Sequence, residues 1–288
     1  MKNGHLAPEY RKQPDPRKNL ENRTIHTLLK KIEYSQENSK ARSFIPGRMS
    51  SMKPVAILRF FPIEGPGYFA TFLDHHHIPW QLICLDEGAP PPENPDKYSG
   101  LVLMGGPMSV HDDLPWIDPV LSLIRQTTSA DIPVLGHCLG GQLLSTALGG
   151  VVTNNPVKEL GWGCVDVVSP SIIARDWFGT DLTKFDAFHW HGETFSIPVN
   201  AGRLLSSPYC PNQAFALGIH LGLQCHIEMT AEMVKTWCEA NADELVQSRE
   251  SPAVSSSEEI QANLDDRITA LQSVADRLYK KWIRALKN

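Results

Sequence analysis

With 288 residues, 42 % of them hydrophobic, the chain can bury the core of one large α/β domain or two small ones, which excludes a disordered tail or a small disulfide-stapled module. Its net charge of −5 divides into +7 over residues 1–53 and −12 beyond, so the acidic body does not attract phosphate backbones and no nucleic-acid partner is expected. No apolar run reaches the ~20 residues of a membrane span, and the dispersed Cys84, Cys138, Cys164, Cys210, Cys225 and Cys238, without a CxxC pair, point to thiols in the cytoplasm.

Residues 1–50 carry Pro8, Pro14, Pro16 and Pro46, scattered charge and few large apolar side chains. Only Ile25 to Ile32 is weakly helical, so this basic extension is expected to stay disordered. A transit peptide would avoid acids, and Glu9, Asp15, Glu21, Glu33 and Glu37 oppose that assignment. A working start near Met49 or Met52 is the simpler expectation.

From Val55 onward, short apolar runs alternate with amphipathic stretches. Val55 to Phe60, Gln81 to Leu85, Leu101 to Met104 and Pro133 to Leu135 are expected to be buried parallel strands. Tyr68 to His76, Pro119 to Thr127 and Gly140 to Leu148 are expected to be the intervening helices. Repeated βα alternation predicts an open, mostly parallel sheet with helices on both faces. Alternation over Cys164 to Val168 and Ala216 to Cys225 extends the sheet, giving one domain over residues 53–247.

A serine-rich loop, Ser248 to Ser257, precedes a last helix over residues 258–288. There Ile260, Leu264, Ile268, Leu271, Ala275, Leu278, Trp282 and Ala285 recur every three or four positions. The stripe is expected to pack on the chain's own body, with a homodimer seam as the alternative.

Three segments carry chemistry. Leu103-Met-Gly-Gly-Pro-Met-Ser109 runs from a strand into a turn that can aim a backbone N–H into a cavity. Ile132 to Gln142 is a strand ending in Gly136, then Cys138, then Gly140 and Gly141 opening a helix: the strand, tight turn and helix of a nucleophile elbow. The turn projects the sulfur at a helix N-terminus, where dipole and free N–H groups favour a thiolate nucleophile. Leu223 to Glu228 then supplies a base. Residues two apart on a strand share a face, so Glu228 can fix the His226 ring while its other nitrogen faces Cys138. Glu193 is the alternative orienting carboxylate.

Together these segments resemble the class I glutamine amidotransferase family. Gly136-x-Cys138-x-Gly140-x-Gln142 matches its nucleophile motif, Gly105-Gly106-Pro107 its oxyanion loop, and Gln224-Cys-His-Ile-Glu228 its His/Glu motif. Glu159-Leu-Gly-Trp162, Trp190-His-Gly-Glu-Thr-Phe195 and Asn212-Gln-Ala-Phe215 resemble the stand-alone, GMP synthase-like members. The likeness runs from about Lys53 to about Glu239. Cys225 and Ile227 stand where the family usually has Phe and Pro, a departure expected to alter packing and not chemistry.

The resemblance implies a flavodoxin-like α/β fold and cleavage of a γ-carboxamide through a glutamyl thioester. Cys138, His226 and Glu228 would be catalytic, and the N–H groups of Gly106 and Leu139 the oxyanion hole. Gln142, Gly105, His191 and Trp190 would bind a small-molecule substrate, glutamine or a γ-glutamyl compound. No cofactor is implied, and a separate synthetase subunit is a partner the resemblance allows. His189 and His191 have a metal-ligand spacing, but no third ligand is evident nearby, so no metal is expected. His75, His76 and His77 are expected at a helix C-terminus, interacting with its dipole; Trp162, like Trp190, lines the pocket or packs in the core. The chain lacks a GxxxxGK[ST] loop and a SGGxDS signature, so it is not expected to be a complete GMP synthase. Two further functions stay open: an autonomous γ-glutamyl amide hydrolase, and a silent regulatory module on the same fold.

Overall fold

The computed structural model describes residues 52–288. The expectations for residues 1–50, including the helical patch and a start at Met49, lie outside the described residues.

Strand β1 (Val55–Arg59) is wholly buried and pairs in parallel with β2 (Trp80–Cys84) and β3 (Gly100–Leu103). Beyond β3 lie β4 (Val134–His137) and β9 (His220–Leu223), also parallel. Helix α1 (Gly67–His75) follows β1, α2 (Ile117–Ser129) precedes β4, and α3 (Leu139–Ala147) leaves it. Each expected strand and helix here is present, displaced by a residue or two at its ends. His75 closes α1 and His76 caps it, as the helix-end expectation requires.

Alternation along the strands divides the core between two faces. Val55, Ile57, Val102 and Leu135 join Phe69, Phe72 and Leu73 of α1. Ala56, Leu58, Leu101, Leu103 and Val134 join Val120 and Ile124 of α2 and Leu143 and Leu144 of α3. Helices therefore cover both faces, as a parallel sheet needs to bury two apolar surfaces. Each large side chain withdrawn from water contributes roughly 1.5–3 kcal/mol.

The other half of the sheet is antiparallel except at its outermost pair. Strand β9 pairs with β8 (Ala214–Leu217), β8 with β7 (Gly202–Ser206), and β7 with β5 (Val152–Val167), whose long partner is β6 (Lys184–Phe195). The full order is β10-β5-β7-β8-β9-β4-β3-β1-β2, with β6 off the path and β10 (Ala253–Val254) on the outer side of β5. The stretch Ala216 to Cys225, expected as one strand, is a hairpin. Gly218, at φ +59°, turns the chain back, a conformation glycine adopts without steric cost.

Helices α4 (Ile172–Phe178), α5 (Ala231–Ala240) and α6 (Ala242–Ser248) precede the C-terminal region. That region is two helices and not one: α7 (Ser257–Gln261), then α8 (Leu264–Trp282). Asn263 breaks the run with a left-handed backbone, φ +52°. The apolar stripe is buried from Ile260 to Trp282, and Ala285 is half-buried. Tyr279 and Trp282 meet Phe69 of α1 edge-on, with ring centroids 4.8 and 5.7 Å apart. No disulfide joins the six cysteines, and among the described residues no helix is long and apolar enough to cross a membrane.

Candidate active site

The C-terminal ends of β3, β4 and β9 converge, and the chemistry gathers there. Cys138 stands between β4 and α3 with φ +48° and ψ −108°, a backbone state costing ~1–3 kcal/mol that persists only where its surroundings enforce it. They do so by close approach. A Cβ on Gly136 would collide with the Gly140 carbonyl, one on Gly140 with the Leu103 carbonyl, and one on Gly141 with that of Leu223. The Cys138 N–H donates to Leu223 O at 2.8 Å and the Gly140 N–H to Met104 O at 3.1 Å. The elbow is thus tied to both neighbouring strands.

His226 and Glu228 lie beyond β9 and not on it, because the strand ends at Leu223. An isolated bridge to Phe188 of β6 keeps His226 extended: its N–H donates to Phe188 O at 2.8 Å. The shared face survives, and His226 Nδ1 meets Glu228 Oε1 at 2.6 Å with both residues buried. Glu193, the alternative, instead accepts from the Ser109 hydroxyl at 3.1 Å.

Burial opposes a charge on His226, yet the Glu228 carboxylate on one side and Cys138 on the other hold its pKa well above the ordinary value. Burial likewise opposes ionisation of Glu228, but His137 and His226 bring it down to about 2. Since burial keeps His137 itself below its usual value and neutral, His226 is the charge that stabilises Glu228 near neutral pH. His226 Nε2 is buried without a hydrogen-bond partner among the described residues.

The loop expected to supply an oxyanion N–H follows β3. A Cβ on Gly106 would lie 2.9 Å from Leu139 Cδ2, so the two residues expected to hold an oxyanion pack against each other. No backbone acceptor meets either N–H among the described residues. The Trp190 carbonyl lies 3.9 Å from Cys138 Sγ.

The expected substrate-binding residues divide. Gly105 and the Trp190 backbone border Cys138 or His226, whereas the Trp190 indole donates to Glu244 at 2.9 Å. Gln142 is buried and donates to Gln224 Oε1 at 3.2 Å, while Gln224 Nε2 reaches Cys138 Sγ at 3.5 Å. Gln142 therefore approaches the sulfur through Gln224. His191 is held by Glu193 O at 3.0 Å and Glu159 at 3.1 Å. Trp162 donates to Ile260 O at 2.9 Å and packs edge-on against Phe188, a core role.

Two carboxylates escaped the sequence reading. Glu159 brings a third donor atom within 4.8 Å of those of His189 and His191, which corrects the expectation that no third metal-ligating group lies nearby. Its oxygens already accept from Ser207 and Gln213, both at 2.8 Å, in addition to the His191 contact. The cluster ties β5 to β6 and to the segment before β8. Only the family-like segment Glu159-Leu-Gly-Trp162 hints at it in the sequence. Glu64, in the loop between β1 and α1, reaches over Gly105: a Cβ there would collide with Glu64 Oε2 and lie 3.2 Å from His226 Cε1. Nothing in the local pattern announces it. Cys225 and Ile227, at the two departures from the family pattern, are completely buried.

Residues 84–207 match the family model Glutamine amidotransferase class-I. A solved glutamine amidotransferase from Methylobacillus flagellatus shares 45 % identity and a TM-score of 0.79, over 83 % of this chain and 97 % of that one. The chain belongs to the class I glutamine amidotransferase family.

Within that family it resembles the glutamine amidotransferase-like protein YfeJ of Salmonella typhimurium, at 32 % identity over 64 % of this chain and 79 % of that protein. Gamma-glutamyl peptidase 3 of Arabidopsis thaliana is 27 % identical over 58 % of this chain and 71 % of its own length. The glutamine-hydrolysing GMP synthase of Pseudomonas syringae is 34 % identical over 46 % of this chain, which spans 25 % of that longer protein.

Proposed function

We propose that this class I amidotransferase is a cytoplasmic, cysteine-dependent hydrolase of the γ-carboxamide of glutamine or a γ-glutamyl amide, acting through a glutamyl thioester. The observation that carries the reading is His226. Its Nδ1 is bound to Glu228 at 2.6 Å, and its unpartnered Nε2 and coupling to Cys138 give the sulfur a proton-transfer partner.

In the first half-reaction the Cys138 sulfur attacks the γ-carbonyl carbon, and the oxyanion rests on the Gly106 and Leu139 N–H groups. Collapse breaks the C–N bond as His226 Nε2 passes its proton to the departing nitrogen. In the second, His226 takes a proton from water, the resulting hydroxide adds to the thioester, and Cys138 leaves as the thiolate. Gln224, held by Gln142, orients the sulfur.

A second reading, an autonomous γ-glutamyl amide hydrolase without a synthetase, draws support from the likeness to gamma-glutamyl peptidase 3. It also fits the lack of an ATP-binding signature in the sequence. Purified protein incubated with glutamine and a panel of γ-glutamyl amides, with released ammonia, amine and glutamate measured, separates the two. Fast glutamine turnover supports ammonia supply to a synthetase subunit; slow glutamine with one fast γ-glutamyl amide supports the autonomous enzyme. Release of neither amine nor glutamate from any member would leave only the silent module.

A further inference from the structure

Glu64 is positioned by the same elements that hold the reactive groups. Its N–H donates to Phe61 O at 3.0 Å, closing a turn. The adjacent Ile63 carbonyl accepts from the indole of Trp237 at 2.9 Å, and that indole packs edge-on against His226 at 4.9 Å between centroids. A few residues on, the Tyr68 N–H donates to the Glu228 carbonyl at 2.8 Å. The loop is therefore fastened to the His226–Glu228 segment at two points, with the Glu64 carboxylate directed over Gly105.

This carboxylate makes no ion pair and accepts from no hydrogen-bond donor among the described residues. Glu244 nearby differs, because it pairs with Lys158 at 2.6 Å and accepts from Trp190. Burial pushes Glu64 up to about 7, against the His226 charge and with help from Glu228 and Glu244. A carboxyl group so placed gains from an arriving positive charge.

The approach to His226 indicates which part of a substrate it meets. The Glu64 carboxylate and His226 Cε1 flank one point above Gly105, and Cε1 lies between the two ring nitrogens: Nδ1, held by Glu228, and Nε2, the atom assigned to protonate the departing nitrogen. The carbonyl oxygen is directed instead to Gly106 and Leu139. Glu64 thus borders the His226 ring, from which the departing nitrogen takes its proton.

We infer that Glu64 forms a leaving-amine subsite that selects γ-glutamyl amides whose amine part carries a positive charge, such as those of diamines, over uncharged ones. The inference rests on the hydrolytic reading above and names its substrate class. A carboxylate of this kind can hold the far ammonium group while the near nitrogen leaves with the His226 proton.

The test compares kcat/KM for the γ-glutamyl amide of diaminobutane with that of n-pentylamine, in which a methyl replaces the ammonium, in wild type and in Glu64→Gln. A charge-assisted hydrogen bond predicts a wild-type preference of about tenfold or more for the diamine. The preference should collapse toward one in Glu64→Gln. A wild-type ratio near one, or a preference that survives in the variant, overturns the assignment.

A second arm needs no turnover: modification of Cys138 by aminoethyl methanethiosulfonate and by its uncharged ethyl analogue. The cationic reagent should be favoured, and less so in Glu64→Gln; equal ratios in both proteins count against the subsite. If no γ-glutamyl amide is cleaved, the hydrolytic reading fails, and the reagent ratio alone decides whether Glu64 draws cations to Cys138.

Discussion

Replacing Cys138 by alanine or serine is expected to lower kcat for γ-carboxamide hydrolysis by at least about a thousandfold, some 4 kcal/mol of barrier. The variant loses the nucleophile but keeps the backbone bonds that shape the elbow, Cys138 N to Leu223 O and Gly140 N to Met104 O. An unchanged melting temperature should therefore accompany the lost activity. Exposed Cys164, changed to serine, is the control. A loss of less than about tenfold at Cys138 would remove it from the nucleophile role, since ~1.4 kcal/mol is too little for a covalent step.

Glu228→Gln is expected to have the next largest effect. The amide can still bond His226 Nδ1, but the charge that opposes the burial cost on the imidazolium is gone. His226 then titrates at lower pH than in the wild type. Because the first half-reaction needs the His226 proton, the alkaline limb of the kcat/KM profile should move to lower pH. Activity near neutrality should fall roughly tenfold to a hundredfold, less than the ~10²–10⁴ expected for His226→Ala. Residual turnover persists because the Gly106 and Leu139 N–H groups remain. Alkylation of Cys138 by iodoacetamide should move the other way, to higher pH, because an imidazolium less readily formed favours the thiolate less. An unmoved limb in both profiles would show that another group sustains the His226 charge.

The parallel half of the sheet is legible because each strand is an apolar run flanked by amphipathic helices, and βα units repeat from Val55 to Ala147. The elbow is legible for a local reason: Gly136, Cys138, Gly140 and Gly141 fall within one six-residue stretch, and only glycine allows the approach of the Leu103 and Leu223 carbonyls. The hairpin at Gly218 is harder to see, since apolar residues continue on both sides of the turn. The break at Asn263 is hidden similarly, because the helical stripe resumes in phase one residue later. His226 and Glu228 meet as their spacing implies, but through the bridge to Phe188, a partner 38 residues away that no local pattern specifies. Glu64 and Glu159 are legible least of all. Each reaches its cluster from a separate element, and strand order, not sequence distance, determines the encounter.

The proposed chemistry requires a glutamyl group on Cys138 between the two half-reactions. Rapid acid quenching during turnover of a good γ-glutamyl amide, followed by intact-protein and peptide mass spectrometry, measures it directly. The expected result is a mass gain of one glutamyl residue, confined to the peptide containing Cys138, absent in Cys138→Ala, and more abundant in a variant slowed in the water step. Undiminished hydrolysis with no adduct, or an adduct on Cys84, Cys164 or another cysteine, would contradict the account.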